Sequence, residues 1–325
     1  MSAPLIIDAH ADTLYRRAGW PGQPCDLSLD RLRTGGVALQ VLALFVGDSP
    51  DKDRREAHLQ RMLAELEMLK REGWTQVDDP FDLRPGHPRL MLSIEGCEYL
   101  EDGLHTIAPF RQMGVRMAGL TWNYENRLAT PAAINQTDGL KPYGLEAARE
   151  LQRQGIALDV SHLNIPGFYD VLNRTNAPPV ASHSNCRALC DHPRNLDDAQ
   201  LKALFMAGGW VGINFFPVFL APAGQRCDLD TVVNHIDHMH QLGGAGHVGF
   251  GSDFDGISAK PEGLDNPGDF PALLRALARR GYSPADLEAI AGGSFLRYYE
   301  RITPSARHET RIKKPAPSLD LAGTG

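Results

Sequence analysis

The sequence has few cysteines, and their number argues against a disulfide-rich secreted protein. Five are present in 325 residues. An odd number fits reduced thiols better than a disulfide framework. Cys186 and Cys190 could lie one helical turn apart, but no second cysteine pair is available to complete a zinc tetrahedron with them. We therefore expect reduced thiols without a metal.

A basic surface and a long apolar run are also missing. The formal net charge is −7, and no basic stripe with interleaved aromatic residues is present, so a nucleic-acid partner is not expected. No apolar run approaches the length of a membrane span. The N-terminal stretch "MSAPLIIDAHAD" lacks the charged and then apolar pattern of a secretory signal. We expect a cytoplasmic protein with no membrane or nucleic-acid partner.

What the sequence does contain is 42% apolar residues, many of them in short β-branched runs that alternate with helical stretches. Such runs fit strands buried on both faces, as in parallel sheets. Eight occur: "PLIIDAHAD", "VALQVLALFV", "RLMLSIEG", "VRMAGLTW", "GIALDVSH", "PPVASHS", "GWVGINFF" and "HVGFGSDFD". They predict an α/β fold, a (β/α)8 TIM-type barrel, with a doubly wound open sheet as the alternative. We expect one domain over residues 1–302 and a polar tail over 303–325 that is disordered or docks a partner.

Four of the intervening segments carry a helical pattern. The segment "DKDRREAHLQRMLAELEMLKREG" has apolar residues at helical spacing, namely Leu59, Met62, Leu63, Leu66 and Leu69. Gly73 is expected to end that helix. The segments "YGLEAARELQRQG", "LDDAQLKALFMAGG" and "DLDTVVNHIDHMHQLGG" precede the fifth, seventh and eighth apolar runs in the same way.

Acidic residues and histidines follow the apolar runs at their carboxyl ends. They are Asp8, His10 and Asp12 after the first run, Glu95 after the third, His162 after the fifth, His183 after the sixth, and Asp253 with Asp255 after the eighth. Strand interiors almost exclude such residues, and polar groups at this end of barrel strands are typical of catalytic sites. Alternate residues on a strand share a face, so Asp8, His10 and Asp12 are all expected to point into the barrel mouth.

The types of these side chains predict a metal site. Three imidazoles and two or three carboxylates favour Zn²⁺ or a similar divalent ion such as Mn²⁺, Co²⁺ or Fe²⁺. Five ligands exceed one tetrahedral zinc, so we expect two ions that share a carboxylate. Glu95 is the expected bridge, with His10 and Asp12 on one ion and His162 and His183 on the other. A hydroxide between the ions would be the nucleophile, and Asp253 would pass its proton to the leaving group.

At this point the sequence resembles a known family, the renal (membrane) dipeptidases, which are binuclear zinc peptidases among the amidohydrolase-like barrels. The resemblance covers most of the chain and rests on "IIDAHADT", "LSIEG", "GLTWN", "GLKPYGLEAARELQRQGIALDVSH", "SHSNCRALCDHPRN" with "LDDAQL", "GINFF" and "HVGFGSDFDG". It implies the zinc ligands His10, Asp12, Glu95 as the bridge, His162 and His183. It also implies that Arg194 binds the C-terminal carboxylate of a dipeptide substrate, that a D-residue is often tolerated at that position, and that a homodimer forms.

Two residues depart from the family pattern. Trp122 stands where the mammalian enzymes carry a histidine that assists the substrate carbonyl, and an indole cannot replace that histidine as an acid or a cation. Phe216 stands where the family often has a tyrosine, which removes one hydroxyl contact. We expect both at the substrate site, with altered carbonyl polarisation and side-chain preference.

The remaining histidines are expected to be bystanders. In "SHSNCRALCDHPRN", His183 is the expected ligand and Arg194 the carboxylate clamp, whereas His192 and the cysteines are given no role. Another three histidines, His235, His238 and His240, lie on a predicted helix, and we interpret them as solvated surface.

Three other functions remain open from the residues. A hydrolase of a non-peptide amide or a lactone would use the same metal site. A metallophosphoesterase would share "DAH" and "GSDFD", but its usual Gly-Asn-His block is missing. A non-catalytic small-molecule binder would not require a complete two-metal ligand set.

Overall fold

A closed ring of parallel strands forms the centre of the computed structural model, which describes residues 4–45 and 51–303. The strands in these ranges are β1 (Ile6–Asp8), β2 (Val37–Phe45), β3 (Thr75–Gln76), β4 (Arg89–Glu95), β5 (Val115–Gly119), β6 (Ala157–Asp159), β7 (Val180–Ala181), β8 (Trp210–Ile213) and β9 (Val248–Phe250). They are ordered β2-β1-β9-β8-β7-β6-β5-β4-β3, and all pairings between them are parallel. A further pairing of β2 with β4 closes the ring, and β3 pairs with β4 outside it.

The predicted (β/α)8 barrel is therefore confirmed. The alternative of an open sheet is wrong, because β2 and β4 pair over seven positions from Leu39↔Arg89 to Phe45↔Glu95. Each of the eight apolar runs supplies one barrel strand. Parallel closure brings the carboxyl ends of all eight strands to one rim, which is where this fold builds its sites.

Helices surround the barrel and include the four that the sequence pattern predicts. They are α1 (Thr13–Gly19), α2 (Leu29–Gly35), α3 (Lys52–Arg71), α4 (Ile107–Met113), α5 (Pro142–Arg153), α6 (Ile165–Arg174), α7 (Asp198–Met206), α8 (Pro217–Leu220), α9 (Leu229–Met239), α10 (Phe270–Arg280), α11 (Pro284–Glu288) and α12 (Ser294–Ile302). The predicted helices correspond to α3, α5, α7 and α9. None of the helices in the described ranges is long and apolar enough to cross a membrane.

Helix α3 shows why the prediction was correct. Leu59, Met62, Leu66 and Leu69 are buried along one face, and Leu63 packs partly buried beside them. Asp51 caps the amino end by accepting from two backbone N–H groups. Gly73 follows the helix with a φ of 98°, a conformation that glycine adopts without the steric cost of a Cβ.

Helix α12 closes the amino end of the barrel. Phe295, Tyr298 and Tyr299 pack into the interior cluster with strand residues such as Ile7 and Met91. The indole of Trp210, at the start of β8, donates to Ser294 Oγ at 2.8 Å. Access to the barrel interior is therefore from the carboxyl rim. The predicted tail lies outside the described residues beyond Thr303.

Candidate active site

His10 and Asp12 follow β1 at the carboxyl rim. Asp253 N donates to His10 O at 3.1 Å and Asp12 N donates to Phe254 O at 2.9 Å, which extends the pairing of β1 with β9 beyond both strands. Asp253 has a φ of 66°, in the left-handed region that Asp tolerates better than most residues. A Cβ on Gly256 would lie 2.0 Å from Asp12 Oδ2, so any other residue there would displace that carboxylate.

Ligand-type side chains from five strand ends meet in one cluster: His10, Asp12, Glu95, His162, His183 and Asp253. Glu95, at the end of β4, lies in the middle of it. Its Oε2 is 3.3 Å from His10 Nε2, and its Oε1 is 2.8 Å from His162 Nε2 and 3.6 Å from His183 Nε2. The two oxygens of one carboxylate therefore face different parts of the cluster.

The part of the cluster around His10 is rich in carboxylates. His10 Nε2 lies 3.6 Å from Asp12 Oδ2 and 3.8 Å from Asp253 Oδ1. Within this triad, and within the triad of His10, Glu95 and His183, the potential ligand atoms all lie within 4.8 Å of one another. His10 Nε2 and Asp12 Oδ1 are buried without a hydrogen-bond partner. Buried polar atoms rarely stay unsatisfied, so these two are suited to a bound cation.

Neighbouring side chains orient the other two imidazoles. His162 Nδ1 lies 3.1 Å from Asn123 Oδ1, which can only accept, so the ring proton belongs on Nδ1. His183 Nδ1 lies 2.8 Å from Ser182 Oγ, and that hydroxyl bonds to the Asp159 carboxylate. Both rings thus turn Nε2 towards the centre, where the two Nε2 atoms are 2.9 Å apart. Supporting hydrogen bonds of this kind are typical of metal-binding histidines.

Burial and neighbouring charges set the ionisation of the cluster. Burial and the neighbouring His10 hold the pKa of His183 well below its usual value. Burial, with Arg194 nearby, lowers the pKa of His162 to about 4. Burial raises the pKa of Glu95, but His10 and His162 outweigh it and hold that pKa well below its usual range. Two neutral imidazoles and an ionised carboxylate are the states that metal binding requires.

The residues present therefore fit divalent cations. The donors are imidazole nitrogens and carboxylate oxygens, which suit zinc and its neighbours in the first transition series. Six such side chains are more than a single tetrahedral ion can use. Glu95 turns one oxygen towards His10 and the other towards His162.

A cavity of about 540 Å³ opens above the cluster and is lined by the four residues expected to bind substrate, Asp253 among them. Trp122, Arg194 and Phe216 all line it. Trp122 packs edge-to-face on Phe45 at 4.7 Å and lies 6.3 Å from the His162 ring, so it forms the wall beside that imidazole. Phe216 packs edge-to-face on Phe219 at 5.1 Å.

Arg194 is buried with most of its hydrogen-bonding capacity unused. The residue is 6% exposed, and its Nη2 donates to His183 O at 3.4 Å. Its Nε and Nη1 have no partner. Burial lowers the pKa of Arg194 to about 10, so the guanidinium remains charged at neutral pH. A buried, charged and unpaired fork of donors is suited to binding a carboxylate.

Two of the acidic residues predicted at the rim, Asp8 and Asp255, do not join the ligand cluster. Asp8 accepts from Ser252 N at 2.8 Å, from Ser252 Oγ at 2.6 Å and from Gln40 Nε2 at 3.0 Å. Asp255 accepts from Thr13 Oγ1 at 2.6 Å and from a loop amide. The prediction failed because the chain leaves regular strand geometry after Asp8 and after β9, so alternation no longer decides the direction of a side chain.

The interpretation of His235 as solvated surface is also wrong. His235 is fully buried, where Nδ1 accepts from Cys186 N at 3.1 Å and Nε2 donates to Leu220 O at 2.9 Å. It lies three residues after the buried Val232 on α9, so helical spacing could have predicted its burial. His238 and His240 are half-buried.

The cysteines are unpaired, as expected. All five are free thiols. Cys190 N donates to Cys186 O at 3.3 Å, which places these two residues one turn apart as the spacing predicted. Neither belongs to the ligand cluster.

Several residues of the site were missed from the sequence. Asn123 and Asp159 act on the imidazoles from outside the cluster, a role that residue type and position along the chain do not indicate. Tyr15 and His192 line the cavity from a helix and a loop. The "HPRN" motif was the one signal that pointed to His192.

Comparison with known proteins agrees with this geometry. Residues 1–313 match the family described as membrane dipeptidase, peptidase family M19. An uncharacterized dipeptidase from Schizosaccharomyces pombe is 31% identical over 328 residues, covering 91% of this chain and 80% of that protein. A dipeptidase from Aspergillus oryzae is 34% identical over 226 residues, covering 69% of this chain and 54% of that protein.

A solved structure extends the likeness to the fold. It is a metallopeptidase from Rhodobacter sphaeroides, liganded with a phosphinate mimic of the dipeptide L-Ala-D-Ala. The TM-score is 0.84 and the identity 26%, with 93% of this chain and 100% of the other covered. The resemblance stated from the sequence is confirmed: this chain belongs to the membrane dipeptidase family of metallopeptidases, peptidase family M19.

Proposed function

We propose that this chain is a binuclear zinc dipeptidase that hydrolyses L-Xaa-L-Xaa and L-Xaa-D-Xaa dipeptides. The observation that carries the proposal is the position of Glu95, whose two oxygens face His10 on one side and His162 on the other. A carboxylate so placed suits two divalent ions roughly 3.5–4 Å apart. Arg194, in the same cavity, offers an anchor for a free carboxylate on the residue that follows the scissile bond, as in a dipeptide.

The ligand cluster divides between the two ions. His10 and Asp12 would hold one, His162 and His183 the other, and Glu95 would be shared. When bound, such ions polarise a scissile carbonyl and lower the pKa of water. Zinc suits these donors, and Mn²⁺, Co²⁺ and Fe²⁺ suit them as well.

Arg194 would bind and orient the substrate. Its unpaired Nε and Nη1 are available as charged donors to the C-terminal carboxylate. Since Nη2 is already bonded to His183 O, the anchor is tied to the residue that follows β7. A dipeptide is small enough for a cavity of about 540 Å³. Its peptide bond would lie between this anchor and the ligand cluster.

Asp253 would move the proton. Its Oδ2 accepts from Asn214 Nδ2 at 2.8 Å, which leaves Oδ1, 3.8 Å from His10 Nε2, facing the cluster. From that position Oδ1 can take a proton from the attacking water and return it to the leaving amine. The side chain is only 13% exposed, which limits exchange of that proton with bulk solvent.

The aromatic walls would set the side-chain preference. Trp122 lies beside His162 and Phe216 beside Phe219. Neither offers a hydroxyl or an imidazole, so neither would take the place of a histidine that assists the substrate carbonyl. The phosphinate mimic of L-Ala-D-Ala in the Rhodobacter sphaeroides structure supports tolerance for a C-terminal D-residue.

One preparation tests the proposal. Metal content is measured, and release of free amino acids is followed from L-Xaa-L-Xaa, L-Xaa-D-Xaa and C-terminally amidated dipeptides, with and without a chelator. We expect close to two ions per chain, cleavage of the free acids, poor cleavage of the amides and loss of activity with the chelator. Turnover of a lactone or a non-peptide amide without dipeptide cleavage would instead support the alternative hydrolase.

We also propose a cytoplasmic location and a homodimer. The location is argued from the five unpaired thiols, which fit a reducing compartment. Cell fractionation tests the first proposal, and light scattering on the purified protein tests the second.

A further inference from the structure

His192 stands beside Arg194 in the wall of the active-site cavity. Both side chains pack on the same ring: the imidazole centroid is 4.6 Å from that of Phe219, and the Arg194 guanidinium carbon is 5.7 Å from it. The loop that contains "HPRN" is thus folded so that its histidine and its arginine lie next to the same aromatic ring. The family comparison and the ligand cluster leave this histidine without a role.

The proton of the His192 ring has a defined position. Nδ1 accepts the backbone N–H of Arg194 at 3.1 Å, so its lone pair is occupied and the ring proton lies on Nε2. Burial, followed by the positive charges of Arg194 and Arg187, lowers the pKa of His192, which keeps the ring neutral at neutral pH. Nε2 is not among the buried atoms without a partner, and the half-buried His192 side chain lines the cavity, so its N–H is accessible to a ligand.

We propose that His192 is a substrate-binding residue whose Nε2–H donates to the same C-terminal carboxylate that Arg194 binds. The inference rests on the proposed dipeptidase function and deepens it. Arg194 and His192 together present only donors. A carboxylate can accept from all of them, whereas a terminal amide or a continuing peptide N–H would set a donor against a donor. The pair therefore selects a free carboxylate on the residue that follows the scissile bond, as in a dipeptide.

The geometry favours the carboxylate over the scissile carbonyl. Arg194, whose backbone N–H bonds to His192, is the cationic anchor, and both side chains pack on Phe219. The wall beside the His162 imidazole is instead formed by Trp122, at 6.3 Å between ring centroids. His192 therefore acts at the carboxylate end of the cavity and does not replace the carbonyl-assisting histidine that Trp122 lacks.

Two matched substitutions distinguish the role of His192 Nδ1 from that of Nε2. In His192→Asn the amide oxygen can replace Nδ1 as the acceptor for Arg194 N–H, but no donor reaches the position of Nε2. In His192→Gln the amide nitrogen can reach that position, but the acceptor at Nδ1 is lost. Kinetics of both variants and the wild type are measured with one dipeptide and with its C-terminal amide, and metal content and thermal unfolding are checked on each sample.

We expect His192→Asn to lower kcat/KM for the free dipeptide about 10-fold, mainly through KM, because a hydrogen bond to a charged group is lost. His192→Gln should retain most of that activity. In the Arg194→Leu background the effect of His192→Asn should shrink, since the carboxylate is no longer held in place.

The opposite order, with Gln impaired and Asn normal, would show that the ring acts only by shaping the loop through Nδ1. Equal losses on the acid and the amide in both variants would also overturn the inference. If the wild type cleaves dipeptides and His192→Asn has unchanged kinetics, this inference is wrong and the proposed function stands. A wild type that cleaves no dipeptide overturns the proposed function and this inference with it.

Discussion

Oδ1 of Asn123 lies 3.1 Å from Nδ1 of His162, on the side of the ring opposite the Nε2 that approaches Glu95 Oε1 to 2.8 Å. The amide oxygen holds the proton on Nδ1 and leaves the Nε2 lone pair free for a metal ion. Asn123→Leu should therefore weaken the binding of one ion by about 10- to 100-fold, the usual effect of removing such support. Metal titration of the variant checks this, with Asn123→Asp, which keeps an acceptor, as the control that should bind more tightly than Leu.

Removing an imidazole should remove an ion. The purified protein should hold close to two divalent ions per chain, and His162→Ala or His183→Ala should lose about one, since both rings turn Nε2 to the same place. Metal analysis after dialysis, with activity on the same samples, checks the prediction. Full occupancy and full activity in both variants would contradict the two-ion site.

Arg194→Leu should lower kcat/KM by about 10²-fold or more on free dipeptides. The variant loses charge-assisted hydrogen bonds in a site where Arg194 is only 6% exposed. C-terminally amidated dipeptides should be poor substrates for the wild type and no worse for the variant. Equal turnover of the free and amidated substrates by the wild type would show that Arg194 does not bind the carboxylate.

Asp253→Asn should retain its metal ions but have a much lower kcat. The amide retains the shape of the carboxylate beside Asn214 but cannot carry the proton, so kcat should fall by about 10²–10⁴-fold with a smaller change in substrate binding. Metal content and kcat on one sample decide the matter. Loss of an ion together with activity would make Asp253 an essential ligand, and normal values of both would move the proton transfer elsewhere.

His235 should make folding stability sensitive to acid. Burial lowers its pKa to about 4, below the value of about 6.5 in an unfolded chain. Between those values the unfolded state binds the extra proton, so the free energy of unfolding rises with pH and falls by up to about 3 kcal/mol as pH drops from 6.5 to 4. Urea unfolding of chelated wild type and His235→Gln across that range should show a weaker pH dependence in the variant.

Much of the site was predictable because each ligand directly follows an apolar run. Glu95, His162 and His183 are polar residues at the ends of strands that are otherwise buried, and a parallel barrel brings all such ends to one rim. Asp8 and Asp255 also follow apolar runs, but their side chains point away from the ligand cluster. Local backbone geometry at the strand end, and not residue type, decides the direction of these side chains. His192 lay in a recognised motif and still received no role.

The sequence by itself determined the eight barrel strands, the helices α3, α5, α7 and α9, the types of the ligand side chains and the family. These depend on residue order and local spacing. Tertiary structure alone decided that Asn123 supports His162, that Asp159 and Ser182 support His183, and that the Arg194 fork is buried without a partner. Each of these relationships joins groups from different strand ends or depends on what surrounds them. Hydrogen bonds and burial are properties of distance in space, which closure of the barrel creates and which order along the chain does not contain.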